Sequence, residues 1–154
     1  LIRGKYKEVK LMLVKQISVF LENKSGRLAE VTKILGDNGI DISALSIADT
    51  TDFGILRLIV NQPEKAEKVL KENGLTVSCT SVIAIAVVDE PGGLARALEV
   101  LEKESIGIEY MYAFVGKTSN EALVILRVEA PDMAVKVLTE NNIRVLSSSV
   151  VYGL

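Results

Sequence analysis

The chain is 154 residues long and 49% hydrophobic, with a net charge of −2, so nothing in its overall balance attracts nucleic acid or an anionic membrane. It has no His and no Trp, and Cys79 is its one cysteine. Those absences exclude Ser–His–Asp and Cys–His catalysis, a disulfide framework within one chain and a Cys/His metal set.

Residues 1–14 carry Arg3, Lys5, Lys7 and Lys10 against Glu8 and read as an N-terminal extension. Ile17, Val19 and Leu21 then alternate with Ser18, Phe20 and Glu22, the period of a half-buried strand. Asn23-Lys24-Ser25-Gly26 breaks it. Leu28, Val31, Ile34 and Leu35 follow helical spacing, with Ser25 as the expected N-cap and Gly39 as the stop. A second strand is predicted from Ile42 to Ala48, a turn at Asp49-Thr50-Thr51-Asp52, and a third strand from Gly54 to Val60. Pro63 opens a second helix as a first-turn proline, with Ala66, Val69 and Leu70 on its inner face. A fourth strand is predicted from Thr76 to Val82.

The order then repeats. Strand is predicted over Val82 to Val88, helix over Pro91 to Glu104 and strand over Ile108 to Val115. Gly116-Lys117-Thr118-Ser119-Asn120 is a turn, Ala122 to Glu129 a strand, Pro131 the start of a helix, and Ile143 to Val151 the closing strand. Gly26, Leu28, Ala29 and Leu35 recur 66 residues later as Gly92, Leu94, Ala95 and Leu101. Pro63, Ala66 and Leu70 recur 68 residues later as Pro131, Ala134 and Leu138. A unit repeated only twice indicates duplication of a small domain, here 15–80 and 81–154. Each copy has the order βαββαβ, which gives an α+β, ferredoxin-like fold: an antiparallel sheet with both helices on one face. No Gly, Pro, Asn or Asp interrupts Thr76 to Val88, so the copies are expected to be rigidly joined.

Two loops before the first helix of each copy are candidates for chemistry. They are Glu22-Asn23-Lys24-Ser25-Gly26-Arg27-Leu28 and Val88-Asp89-Glu90-Pro91-Gly92-Gly93-Leu94. A glycine at a helix start lets a ligand approach backbone N–H groups, and the helix dipole favours a carboxylate there. Asn23, Asp89 and Asp41 offer acceptors for an ammonium group. Plain helix caps and tight turns use the same residues, and spacing alone does not separate the two readings.

The stretches ENKSGRLAEVTKILGDNGIDISAL and VDEPGGLARALEVLEKESIGIEYMY resemble the opening half of ACT domains, regulatory modules that bind amino acids. The resemblance runs over nearly all of the chain after residue 14 and implies a tandem ACT protein without an attached enzyme. Carried over by position, it names Asn23, Ser25, Gly26, Arg27, Leu28 and Asp41 as ligand-binding in the first copy, and Asp89, Pro91, Gly92, Gly93 and Leu94 in the second. In such domains the loop meets the start of a neighbouring domain's second strand, so the ligand is expected at a domain or subunit interface. Ser25 stands where the family often has proline, and Gly107 stands where the first copy has Asp41, which favours the first copy's loop. The implied protein is a cytoplasmic, non-catalytic small-molecule sensor and a homodimer. Its partners are a free amino acid and a metabolic enzyme or regulator, with no cofactor, metal, nucleic acid or membrane.

Tyr110, Tyr112 and Phe114 share one face of the second copy's second strand, where the first copy has Ala44, Ser46 and Ala48. Leu45 and Ile47 are expected to point at the helices, leaving these six for an interface on the helix-free face. Arg57 and Arg127, each inside an apolar third strand, are expected to pair with an acid. Three rival functions remain. A dimerisation subunit of a metabolic enzyme needs no ligand at all. An RNA binder of this topology stacks bases on strands one and three, whereas the aromatics here lie on strand two. An acylphosphatase-like enzyme would need an Asn on strand two, which is absent.

Overall fold

A computed structural model describes residues 2–116 and 120–154; Lys117, Thr118 and Ser119 of the expected turn lie outside them. The chain divides into two compact units, Lys15–Thr80 and Ser81–Gly153, with Leu1–Val14 grouped with the latter. The expected N-terminal extension is a helix, α1 (Ile2–Leu11). After it, Met12 and Leu13 pack against the core of the Ser81–Gly153 unit.

The Lys15–Thr80 unit is built from β1 (Val14–Glu22), α2 (Arg27–Asp37), β2 (Ile42–Asp49), β3 (Phe53–Val60), α3 (Pro63–Glu72) and the start of β4 (Thr76–Val88). The strand order is β2-β3-β1-β4, with β3 antiparallel to both β1 and β2. Alternation decides the faces. Ile17, Val19 and Leu21 of β1 and Leu56, Leu58 and Val60 of β3 are buried against Val31 and Leu35 of α2 and Ala66 and Leu70 of α3. Both helices therefore cover one face, as the βαββαβ order requires. Pro63 occupies the first turn of α3. Gln62 Nε2 and Lys65 Nζ donate to the carbonyls of Gly39 (3.3 Å) and Asn38 (2.6 Å), tying the start of α3 to the end of α2.

The Ser81–Gly153 unit repeats the plan with the rest of β4, α4 (Gly93–Lys103), β5 (Ile108–Ala113), β6 (Glu121–Val128), α5 (Pro131–Glu140) and β7 (Arg144–Leu146). β6 lies between β4 and β5, and β7 pairs with the other side of β4. Its core joins Ile83, Ile85 and Leu126 of the sheet to Ala97 and Leu101 of α4 and Leu138 of α5.

Two local expectations are corrected. The closing strand does not run from Ile143 to Val151: β7 ends at Leu146, and α6 (Ser148–Tyr152) follows. Ser147 is extended and its hydroxyl accepts from the Val150 N–H, so a small polar residue starts a helical turn in place of continued pairing. Nor is Ser25 the N-cap of α2. That position is Gly26, in the left-handed region and with no side-chain cap.

Candidate functional site

Both loops before the first helix are built by one device. The Arg27 N–H reaches the Lys24 carbonyl at 3.4 Å and the Gly93 N–H the Glu90 carbonyl at 3.0 Å, each spanning four residues. Gly26 (φ 85, ψ −9) and Gly92 (φ 85, ψ −5) have the dihedrals of the third residue in a type II turn, which only a residue without Cβ adopts freely. Pro91 then stands at the second position, where its fixed φ fits, and Ser25 stands there in the first copy. The first helical bond of α2 runs from Glu30 N–H to Gly26 O at 2.9 Å. Among the described hydrogen bonds, the N–H groups of Leu28 and Ala29 have no acceptor, so the positive end of α2 is open.

The sheet beneath that helix start supplies the floor. Gly54 of β3 lies opposite Leu21 on one side and Asp49 on the other, and Leu56 lies opposite Val19 and Ile47. Opposed residues share a face, and Leu21 and Leu56 belong to the helix-side core. Asp49 and Ile47 therefore point to the helix side too. They sit on the edge strand, beyond the cover of the helices, and Ile47 is 50% exposed. Gly54 leaves a slot between Leu21 and Asp49. Beside it, with Leu28 and Arg27 of α2 on its rim, is a cavity of about 170 Å³.

Its walls divide by chemistry. Leu21, Leu28, Ile47 and Leu56 are aliphatic, while Asn23, Asp49 and Glu22 present acceptors. Asn23 is fixed at both ends, with its N–H on Asp52 O (2.8 Å) and its Nδ2 on Thr51 O (3.4 Å), which leaves its Oδ1 to accept. Glu22 is ion-paired to Lys24 at 2.7 Å and more distantly to Arg27 at 3.9 Å. The hydrogen bond from Lys24 and its charge hold the Glu22 carboxyl below its ordinary value, with Arg27 adding to them. Arg27 is committed to Glu30 at 2.9 Å. Asp49 has no ion-pair partner among the described residues. It is the uncommitted charge of the cavity.

Of the residues named from sequence, Asn23, Arg27 and Leu28 line this cavity, and Ser25 and Gly26 shape the turn above it. Asp41 does not join them. It follows α2, where its N–H donates to Asn61 Oδ1 at 3.0 Å and its carbonyl accepts from the Asn61 N–H at 3.2 Å, at the end of the helix remote from the loop. The 11 residues of α2 put roughly 16 Å between the two ends. Within this unit the acid at the loop is Asp49, which the sequence presented only as a turn residue. Pairing of β2 with β3 was the missing signal, because it sets Asp49 beside Gly54.

The second copy departs from this pattern. It keeps the loop's anchor, the Asp89 N–H donating to Asn120 O at 2.9 Å as Asn23 does to Asp52 O, and differs in what surrounds it. A Cβ at Gly93 would collide with the Val88 carbonyl, so the loop here is wrapped tightly on its own strand and no side chain fits where the first copy has Arg27. Leu94, the counterpart of Leu28, packs against the core. Val115 stands in the position of Asp49 and Ala122 in that of Gly54, so the acid and the slot are both missing. At Gly107, the counterpart of Asp41, the space of a side chain is taken by the Glu129 carboxylate, 2.6 Å from where a Cβ would be.

Register also places the aromatic set. Tyr110 and Tyr112 oppose Arg127 and Ile125, and the Phe114 N–H bonds to Leu123 O. They alternate with Met111 and Ala113, which oppose the core residues Leu126 and Val124. The three aromatics are thus half-buried on the helix-free face of their unit. In the other unit Ala44, Ser46 and Ala48 oppose Ile59, Arg57 and Ile55, also on the helix-free face. Arg127 pairs with Glu109 at 3.3 Å and donates to Ser81 O.

Residues 12–152 match the family model described as an ACT domain pair. The chain belongs to that family. Among solved structures, this ACT domain pair is similar to a protein from Bacteroides thetaiotaomicron, with 47% identity, a TM-score of 0.88, and 93% of this chain and 98% of that one covered. It is also similar to the ligand-free regulatory subunit of aspartate kinase from Thermus thermophilus: 15% identity, TM-score 0.62, 86% and 95% covered. The regulatory subunit of aspartate kinase from Thermus flavus follows at 14% identity and TM-score 0.57, with 82% and 90% covered. At these last two identities the likeness is one of fold. No curated protein matches the chain. Among the described residues of this ACT domain pair, no helix is long and apolar enough to cross a membrane, and no group of three or more His, Cys, Asp or Glu is placed to hold a metal ion.

Proposed function

We propose that this ACT domain pair is a non-catalytic, amino-acid-responsive regulator that holds one zwitterion in the cavity below residues 22–28. One observation carries the reading: Arg27 and Leu28, at the uncapped start of α2, line the same small cavity as Asp49, which has no ion-pair partner among the described residues. A ligand carboxylate accepts from the Leu28 and Ala29 N–H groups in the positive field of the helix end. The ammonium group donates to Asp49 and to Asn23 Oδ1. The side chain then meets Leu21, Leu28, Ile47 and Leu56. At about 30 Å³ per water, 170 Å³ holds roughly six waters, which fits a small aliphatic amino acid. A charged side chain finds no free partner, since Glu22, Lys24 and Arg27 neutralise each other locally.

The fold likeness to aspartate kinase regulatory subunits supports a regulatory role. In this reading the protein is a cytoplasmic homodimer, and the bound amino acid shifts the population that engages a metabolic enzyme or regulator. A thermal-shift series at neutral pH against the twenty amino acids tests it. One or more of Ala, Val, Leu and Ile raises Tm, and Asp49→Asn removes the effect without lowering the unliganded Tm. If no amino acid moves Tm, the sensor reading fails and a purely structural subunit remains.

A further inference from the structure

The two repeats carry a cavity at the same place in their folds, beside the end of the first strand, the first helix and the turn after the second helix. In the Lys15–Thr80 unit it measures about 230 Å³ and includes Phe20 and Phe53, whose rings stack at 5.2 Å. In the Ser81–Gly153 unit it opens to about 500 Å³, within the range of small-molecule sites. Two acids of the first repeat are replaced by bases in the second, and a third base is added. Glu30, Asp37 and Thr76 of the first repeat correspond to Arg96, Lys103 and Arg144 of the second. All three bases line the larger cavity, as does Asn142.

Their donors are only partly used. Arg96 spends Nη2 on Glu90 at 2.7 Å, and Arg144 spends Nη1 on Glu121 at 2.8 Å. A guanidinium has five N–H donors in a planar fork, so each retains a free edge. Lys103 has no ion-pair partner among the described residues, and no hydrogen bond is described for the Asn142 side chain. The lining also carries two acids, Glu99 and the Glu121 that pairs with Arg144. Val87, Val100 and Ile143 supply apolar walls beside the three bases, whose side chains are exposed.

We infer that the second repeat binds a small, multiply charged oxyanion in this cavity, a polycarboxylate or a phosphate, held by Arg96, Lys103 and Arg144. This site is separate from the amino-acid cavity and does not depend on that reading. Citrate and inorganic pyrophosphate are the probes, with acetate as the singly charged control, followed by ¹H–¹⁵N correlation spectra of the full chain. Saturable shifts are expected at Gly93, Asn142 and Arg144 for one or both probes, with Kd rising at least tenfold between 20 and 200 mM NaCl because the contact is ionic. Citrate without pyrophosphate names a carboxylate ligand, and the reverse names a phosphate. Lys103→Glu combined with Arg96→Glu abolishes the shifts while spectral dispersion shows the fold intact. Lack of saturation, equal shifts in both repeats, or shifts that persist in the double variant would each overturn the proposal.

Discussion

Gly54 is where one missing side chain matters most. Its φ is ordinary, and a Cβ would meet Ala48 O and Asp49 Oδ1 at 3.7 Å, so a larger residue fits the backbone and projects into the slot between Leu21 and Asp49. Gly54→Val is expected to leave urea stability equal or higher, because a β-branched residue suits a strand, and to abolish the amino-acid thermal shift. Gly93 gives the opposite case. Gly93→Ala drives a methyl into the Val88 carbonyl and is expected to cost roughly 1–3 kcal/mol in urea denaturation. Gly36→Ala, on the exposed face of α2 with nothing within 4 Å, is expected to be neutral or stabilising by up to about 1 kcal/mol. Gly93→Ala as mild as Gly36→Ala would show that the loop is not tightly wrapped.

Glu67 supplies a pH signature at the same scale. Its carboxylate accepts from the Cys79 thiol at 2.9 Å, from Lys71 at 2.8 Å, and pairs with Lys15 at 3.4 Å. Those hydrogen bonds, the thiol's first, hold it down to about 2 from 4.5. Burial, with the Glu67 carboxylate adding to it, pushes Cys79 up to about 11, so the thiol stays a donor at neutral pH. A depressed carboxyl stabilises the fold fully above pH 4.5 and loses that contribution as pH falls toward 2. Cys79→Ala removes the leading donor, so the fall in the urea midpoint between pH 5 and pH 2 is expected to be smaller than in the unmodified protein. An equal fall in both would remove the thiol from the account.

At the scale of elements, the C-terminal segment separates strand from helix. As α6, the chain buries Val151 completely and leaves Val150 at 45% exposure. Val151→Ala is expected to cost about 1.5–3 kcal/mol and Val150→Ala less than about 0.5, measured by urea denaturation. Similar costs at both positions would contradict this packing. The expected strand failed here because Ile143 to Val151 is β-branched enough for either state, and a serine run offers a cap that periodicity does not register. The other elements were readable because their apolar spacing and proline–glycine punctuation agree, as at Pro63 and Pro131. Asp49 was not readable as a site residue. Its place beside Gly54 at the loop cavity follows from cross-strand register, which the alternation of β2 alone does not set.

For the molecule as a whole, duplication has produced two copies of one plan with different side-chain equipment. The first keeps Gly54 and Asp49 at its loop, and the second has Ala122 and Val115 there. One ligand per chain at the loop cavity is therefore expected from calorimetry, and a stoichiometry of two would show that the second loop is competent. The most direct measurement is a ¹H–¹⁵N titration with the aliphatic amino acid that gives the largest thermal shift. The amides of Leu28, Ala29 and Gly54 are expected to move and saturate together, with Asp49→Asn raising Kd roughly tenfold or more, the worth of one charge-assisted hydrogen bond. Saturating shifts that leave those three amides still, or binding that Asp49→Asn does not weaken, would contradict the account.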